Sequence, residues 1–183
     1  AELTKQLCAE LAKLDTETRI DALNDVRLQL HQESPLKHHP VDYVFWKKSD
    51  DVEANEYNPN ATAPPEMQLL YESISNDGFT MPIVSFKDTS TIRIVDGFHR
   101  RETERRNKDI SASTMGRVPL TTIRDEQTDQ SNRMASTIRH NRARGSHNIE
   151  LMSQIVSELV EMGKGDPWIC KHIGMSIDEL LRM

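Results

Sequence analysis

The chain has 183 residues, of which 36% are hydrophobic and 5% aromatic, and its formal net charge is −6. This length allows one sizeable core with a small appendage, and because neither a membrane span nor a secretory signal is recognised, we expect a cytoplasmic protein. Residues 91–150 hold 12 Lys and Arg against 8 Asp and Glu while the rest carries −10, which argues against broad, salt-driven binding to duplex DNA.

The first forty residues are predicted to form a helical hairpin. Leucines recur at helical spacing within residues 3–14, apolar residues do so again within 20–30, and Asp15 is placed to cap the second helix. His38 and His39 follow in a proline-bounded loop. Adjacent histidines allow a metal site, but a solvated loop is the preferred interpretation.

A small mixed core is predicted next. Residues 41–46 favour a strand or an extended lead, and the proline pair at 64–65 begins a helix that Gly78 stops. Residues 82–86 then form a short buried strand. Its antiparallel neighbour is Ile92–Val95, across a polar turn.

The second of these strands runs into Asp96–Arg100, a tight glycine turn followed by the start of a basic helix. A strand, a glycine turn and the first amides of a helix together favour an anion site. His99 and Arg100 add donors at the place where phosphate oxygens would lie. We interpret this segment as a phosphate-binding turn.

The helix that follows, residues 98–107, is polar nearly all round. Pairs at i,i+4 spacing are expected between Arg100 and Glu104 and between Glu102 and Arg106. A solvated, salt-bridged surface helix is therefore the preferred interpretation for Arg101, Arg105 and Arg106.

A strand at 118–123 and a helix at 125–138 are predicted to follow, and this helix delivers Asn141 and Arg144 at its exit. A further amphipathic helix runs from a cap at Ser146 to Gly163. The tail then has the form of a helix-turn-helix (HTH), with Gly174 in the turn.

The second helix of this pair begins with a capping box at Ser176 and Glu179. DNA-reading helices present polar and basic groups, whereas this one presents Asp178 and Glu179 near its start. We therefore expect it to pack on the helix at 148–162, or to offer a surface to a partner, through an apolar stripe: Ile173, Ile177, Leu180 and Leu181.

Several segments in this order resemble the ParB/sulfiredoxin superfamily, which includes the partition protein ParB, sulfiredoxin and a free-serine kinase. The resemblance rests on four segments. They are Asp-Gly-x-His-Arg at 96–100, the Asn-Pro box at 58–60, the helix, glycine stop and Pro-Ile strand at 69–84, and the Asn-x-x-Arg box at 140–144. The IbrB type, a short ParB-like co-activator of prophage gene expression, is the nearest likeness, through residues 57–60 and 63–67.

The resemblance implies an α+β fold: a small mixed ParB/sulfiredoxin-like sheet with helices, followed by a helical part with an HTH-like pair. The expected divisions are an N-terminal hairpin at 1–40, a nucleotide-binding core at 41–124 and a helical subdomain at 125–183. Sulfiredoxin places its reactive cysteine where Phe98 stands, so sulfiredoxin activity is not expected. ParB has Gly-Glu-Arg-Arg at the corresponding positions, whereas Asp-Gly-x-His-Arg, the motif of this chain, is closer to the motif of the free-serine kinase type.

Catalysis on a nucleoside triphosphate needs donors, a divalent cation and an acid or base. Asp96 is a candidate magnesium ligand or proton acceptor, although it is equally an ordinary turn residue, and His99 and Glu56 are the other catalytic candidates. The candidate nucleotide-binding residues are Asn58, Gly97, His99, Arg100, Arg101, Asn141 and Arg144.

Two functions stay open at this point. The first is binding of ATP, ADP or CTP with Mg²⁺, followed by hydrolysis or phosphoryl transfer. The second is a non-enzymatic regulator in which the nucleotide gates binding to DNA or to a partner protein. The oligomeric state is open too, with a homodimer as one option.

Overall fold

The computed structural model describes residues 1–54, 64–88, 91–123, 131–132, 134–136, 138 and 149–182. The helices are α1 (Glu2–Ala12), α2 (Thr16–Glu33), α3 (Pro64–Asp77), α4 (Phe98–Arg106), α5 (Lys108–Thr114), α6 (Ile149–Glu161), α7 (Asp166–Ile173) and α8 (Ile177–Leu180). The strands are β1 (Phe45–Lys48), β2 (Val52–Glu53), β3 (Ile83–Asp88), β4 (Thr91–Asp96) and β5 (Arg117–Thr122). Single 3₁₀ turns cover Pro40–Asp42 and Ser49–Asp51, and the described residues between 131 and 138 are helical.

The described strands form one mixed sheet in the order β1-β5-β3-β4-β2. The pairs β1–β5 and β3–β4 are antiparallel, whereas β5–β3 and β4–β2 are parallel. The strand β4, whose last residue begins the predicted phosphate turn, therefore has a neighbour on both sides. At the end of the strand Asp96 pairs with Val84 of β3, which fixes the start of the turn. The predicted α+β class is confirmed.

The sheet core consists of apolar side chains from β2, β3, β4 and β5. Its buried members are Val52, Ile83, Ile94, Val118 and Leu120. Phe98, the first residue of α4, packs against this cluster and anchors the start of that helix to the sheet. Phe98 thus has a structural reason to follow the glycine turn.

The helix α2 docks on the sheet through polar contacts. Its Asn24 carboxamide accepts a hydrogen bond from the backbone N–H of Trp46 at 2.9 Å and donates one to the carbonyl of the same residue at 2.8 Å. The amide thus occupies hydrogen-bonding groups of β1, a strand at the edge of the sheet, which removes a site for unwanted strand pairing. Arg117 of β5 reaches Glu17 at 2.5 Å and Asp21 at 2.8 Å on the same helix.

A second core lies in the C-terminal part. Its buried side chains are Met134, Ile138, Met152, Ile155, Val156, Leu159, Ile169, Ile173 and Met175. The stripe predicted for residues 149–159 is confirmed at Met152, Ile155, Val156 and Leu159. Among the described residues, no helix is both long and apolar enough to cross a bilayer.

One local prediction was wrong in part, and one helix was not predicted. The segment predicted as a strand or lead at 41–46 contains a 3₁₀ turn, and β1 begins only at Phe45. The helix α5 was not predicted, because its seven residues carry one buried apolar side chain, Ile110, and so have no amphipathic period. The hairpin α1–α2 is confirmed, with Asp15 accepting the amide of Thr18 at 3.1 Å as its N-cap.

Candidate functional site

The predicted turn has the geometry that only glycine adopts readily. Gly97 has φ +96° and ψ +20°, in the left-handed region, and it is the N-cap of α4. A Cβ atom built on Gly97 would lie 2.6 Å from Nη2 of Arg100. The backbone conformation therefore favours glycine, and the missing side chain lets the Arg100 guanidinium lie close over the turn.

Arg100 folds back over this turn. Its Nη2 lies 3.2 Å from Oδ2 of Asp96, and the two side chains are only 12% and 8% exposed. Because the pair is largely shielded from water, its attraction is screened less than that of a surface pair. The predicted pair between Arg100 and Glu104 is absent from the described structure, since Arg100 bonds one turn backward to Asp96 instead.

The first amides of α4 point toward the same turn. The N–H groups of Arg100 and Arg101 donate to the carbonyl of Gly97 at 3.0 and 3.2 Å. Phe98 and His99 precede them, at positions where a helix offers no intrahelical acceptor. The helix dipole adds partial positive charge, so this end of α4 favours an anion.

His99 is half-buried, with its ring 5.4 Å from the Phe98 ring in an edge-on arrangement. Burial lowers the pKa of His99 below the ordinary 6.5, and the carboxylate of Glu102 opposes that change only in part. The imidazole is therefore mostly neutral at pH 7. It can donate or accept a hydrogen bond there, but it does not supply a permanent positive charge.

Arg101 is buried, contrary to the expectation of a solvated side chain. Its Nε donates to the carbonyl of Ser49 at 3.1 Å, and its Nη1 lies 3.3 Å from Oε1 of Glu102. Burial lowers its pKa, and the neighbouring Arg105 acts in the same direction. In the described structure the guanidinium joins α4 to the 3₁₀ turn Ser49–Asp51. The predicted pair between Glu102 and Arg106 is confirmed at 3.2 Å.

Sequence reasoning missed the buried polar face of α4. Thr103 and Glu104 are each 1% exposed. Thr103 donates its hydroxyl to the carbonyl of His99 at 2.8 Å, whereas both carboxylate oxygens of Glu104 are buried without a hydrogen-bond partner in the described structure. Burying a carboxylate without a hydrogen-bond partner lowers the free energy of unfolding, so Glu104 destabilises the helix beside the candidate site.

The structure brings together four of the predicted site residues: Asp96, Gly97, His99 and Arg100. A fifth, Arg101, is described but bonds to the carbonyl of Ser49 instead. The others, Glu56, Asn58, Asn141 and Arg144, lie outside the described residues, so their roles stay predictions. Within the described part of the chain no group of three or more His, Cys, Asp or Glu side chains is placed to hold a metal ion. Asp96 as a magnesium ligand likewise stays a prediction.

The HTH-like tail forms as predicted. Gly174 adopts φ +76° between α7 and α8, and the capping box is present: the Glu179 amide donates to Oγ of Ser176 at 3.2 Å, and the Ser176 amide donates to the Glu179 carboxylate at 2.8 Å. Ile173 is buried and Leu180 packs on the C-terminal core. Ile177 and Leu181 are 59% and 76% exposed, so they do not pack in this core, and the alternative of a surface for a partner stays a prediction.

Comparison with solved structures finds ParB proteins. ParB from Caulobacter crescentus, C-terminally truncated and complexed with CTP-γ-S, is similar with a TM-score of 0.45 and 18% identity, over 75% of this chain and 74% of that one. The same protein complexed to the centromeric parS site is similar with a TM-score of 0.46 and 18% identity, over 74% of this chain and 67% of that one. A Pnob8-like ParB-N domain is similar with a TM-score of 0.48 and 12% identity, over 66% of this chain and 47% of that one.

Sequence comparison is more specific. Residues 147–183 match the IbrB-like C-terminal HTH domain, which confirms the predicted likeness to the IbrB type in this part of the chain. The uncharacterized protein YbdM of Escherichia coli (strain K12) is 45% identical over 182 residues, covering 99% of this chain and 86% of that protein. The chain therefore belongs to the same family as YbdM and carries an IbrB-like C-terminal HTH domain.

Proposed function

We propose that this protein is a nucleotide-gated regulator. The turn Asp96–Arg100 binds the phosphates of a nucleoside triphosphate, and the HTH domain contacts DNA or a partner protein. The observation that carries the proposal is the Arg100 guanidinium, which lies over Gly97 and bonds to Asp96 at 3.2 Å. This cation lies at the positive end of a helix, where phosphate is favoured.

Binding requires an exchange of partners. Arg100 forms a charge-assisted bond with Asp96, and phosphate oxygens offer it a stronger, bidentate alternative. When Arg100 moves to the phosphates, its bond to Asp96 breaks, and Mg²⁺ would replace the guanidinium at the Asp96 carboxylate. The exchange keeps both charges paired, and it couples phosphate binding to cation binding.

The remaining ligands come from predicted residues. Asn58, Asn141 and Arg144 would complete the nucleotide site, and Arg101 would contribute only if its bond to Ser49 opened. Glu56 is an alternative acidic group. ATP, ADP and CTP with Mg²⁺ are the candidate ligands.

Hydrolysis or phosphoryl transfer is a second candidate, and His99 favours it. The lowered pKa leaves this imidazole mostly neutral at pH 7, the form that can accept a proton from water or an acceptor hydroxyl. Phosphate release by wild type with Mg²⁺, abolished in His99→Ala with the fold intact, would establish an enzyme. A flat time course alongside measurable nucleotide binding would favour the regulator.

A thermal-shift panel of ATP, ADP and CTP, each with and without Mg²⁺, tests the exchange. For wild type we expect a nucleotide to raise the melting temperature, with a further increment from Mg²⁺. Asp96→Asn removes the negative charge that pairs with Arg100 and also the proposed Mg²⁺ ligand, so this variant should still respond to nucleotide without Mg²⁺ and should lose the Mg²⁺ increment. No shift with any nucleotide, or an unchanged increment in Asp96→Asn, would reject the proposal.

A further inference from the structure

A cavity of about 200 Å³ lies where α2 meets the end of α5 and the strands β1 and β5. Three residues of α2 at helical spacing, Ile20, Leu23 and Arg27, line one side of it. Trp46 of β1 and Met115, which follows α5, line the other. None of these residues belongs to the turn Asp96–Arg100.

The walls of the cavity are mainly apolar. Ile20, Leu23 and Trp46 are half-buried, so each keeps part of its apolar surface open toward the space. An apolar cavity of about 150 Å³ holds a benzene ring in a well-studied protein. The larger volume here has room for a six-membered ring or a branched alkyl group together with a small polar group.

Met115 has an unusual backbone for its residue type. Its φ of +56° and ψ of +38° are left-handed, and within the described residues it is the only non-glycine with a positive φ. Glycine or asparagine normally takes this position after a helix, because other side chains are strained there. Strain of this kind often marks a functional site, and here the strained residue contributes a long apolar side chain to the cavity wall.

The charge at the cavity comes from Arg27. The other lining arginine, Arg117, is already paired with Glu17 and Asp21. Arg27 is exposed, and its Nη1 donates to Oδ1 of Asn24 at 3.3 Å, which uses one of the five guanidinium donors. The rest of the fork matches the planar, two-oxygen geometry of a carboxylate.

We propose that this cavity binds a small aromatic or branched aliphatic carboxylate. The apolar body of the ligand contacts Leu23, Trp46 and Met115, and its carboxylate pairs with Arg27. A ligand in this place touches both α2 and the sheet. Its binding therefore stabilises the docking of α2.

The fluorescence of Trp46 can report ligand binding in the cavity. The chain has two tryptophans, so Trp168→Phe leaves Trp46 as the only one. In that background, benzoate is titrated as the probe and benzyl alcohol as its uncharged match. We expect a saturable change of Trp46 fluorescence with benzoate. Arg27→Gln should weaken benzoate binding about tenfold or more without affecting benzyl alcohol.

Arg106→Gln is the matched control, since it removes one exposed positive charge elsewhere and should leave benzoate binding unchanged. Leu23→Phe fills the cavity, and a folded Leu23→Phe protein should not bind benzoate. A linear fluorescence response, equal benzoate affinity in Arg27→Gln and its parent, or full binding by folded Leu23→Phe would overturn the proposal. If Leu23→Phe does not fold, the surface variant Arg27→Gln decides alone.

Discussion

Asp96 and Arg100 are joined across a glycine that has no room for a side chain. The guanidinium lies 3.2 Å from the carboxylate, and 2.6 Å from the place where a Cβ atom of residue 97 would stand. The salt bridge and the left-handed turn are therefore one structural unit. A change at Gly97 must disturb both the backbone and the arginine.

Gly97→Ala tests this unit. Left-handed alanine is strained, and its methyl group would displace Arg100, so we expect a loss of about 1–3 kcal/mol of unfolding free energy together with weaker nucleotide binding. Gly78→Ala is the matched control, because Gly78 has φ +74° but open space around its Cβ position. Both free energies are measured by urea denaturation. Equal losses in the two variants would mean that the contact between Arg100 and a Cβ atom at position 97 does not destabilise the fold.

Glu104 provides a test of the packing of α4. Its carboxylate is buried without a hydrogen-bond partner in the described structure, so Glu104→Met should raise the unfolding free energy by about 1–3 kcal/mol. Glu102→Met is the control on the same helix, and it should destabilise or be neutral because Glu102 pairs with Arg101, Arg105 and Arg106. A clear loss of stability in Glu104→Met would mean that this carboxylate makes a favourable contact.

His99 should make stability depend on pH. Its folded pKa is below 6.5, so between that pKa and 6.5 the unfolded chain binds more protons than the folded one. The contribution of the neutral His99 side chain to the free energy of unfolding is therefore complete above pH 6.5, and it is lost as the pH falls from 6.5 toward the folded pKa. Urea midpoints at about pH 7.5 and about pH 5.5 should differ more for wild type than for His99→Gln. Equal differences would contradict the effect of burial on His99.

The HTH domain should not read duplex DNA by itself. Its second helix begins with the exposed carboxylates of Asp178 and Glu179, and carboxylates facing phosphates repel them. We expect no tight complex in a mobility-shift titration of the chain at low salt without nucleotide. Tight binding that is lost when Lys171 and Arg182 are changed to Ala would contradict this prediction.

The local features of the site were predictable, since they depend on neighbours in sequence. The strand ending at Asp96, the left-handed Gly97 and the start of α4 all follow from residue types over a few positions. The partner of Arg100 was not predictable, because Asp96 and Glu104 are both four residues away. The glycine turn decides between them by letting the side chain fold backward.

Tertiary contacts explain the other misses. Arg101 was expected in solvent, but its acceptor, the carbonyl of Ser49, is 52 residues away in the sequence. Ile177 and Leu181 follow buried Ile173 at intervals of four residues, yet the turn at Gly174 separates them from its helix, and both are exposed at the two ends of α8. Periodicity indicates which residues share a face, and it does not indicate how much of that face a partner covers.

Calorimetry of Arg100→Ala against wild type tests the central claim most directly, with ATP, ADP and CTP in the presence of Mg²⁺. Losing a charge-assisted hydrogen bond costs about 1.5–3 kcal/mol, so we expect nucleotide affinity to fall by about one to two orders of magnitude. Arg106→Ala removes the same charge from an exposed position of α4 and should bind like wild type. Equal nucleotide affinity in wild type and Arg100→Ala would contradict the account.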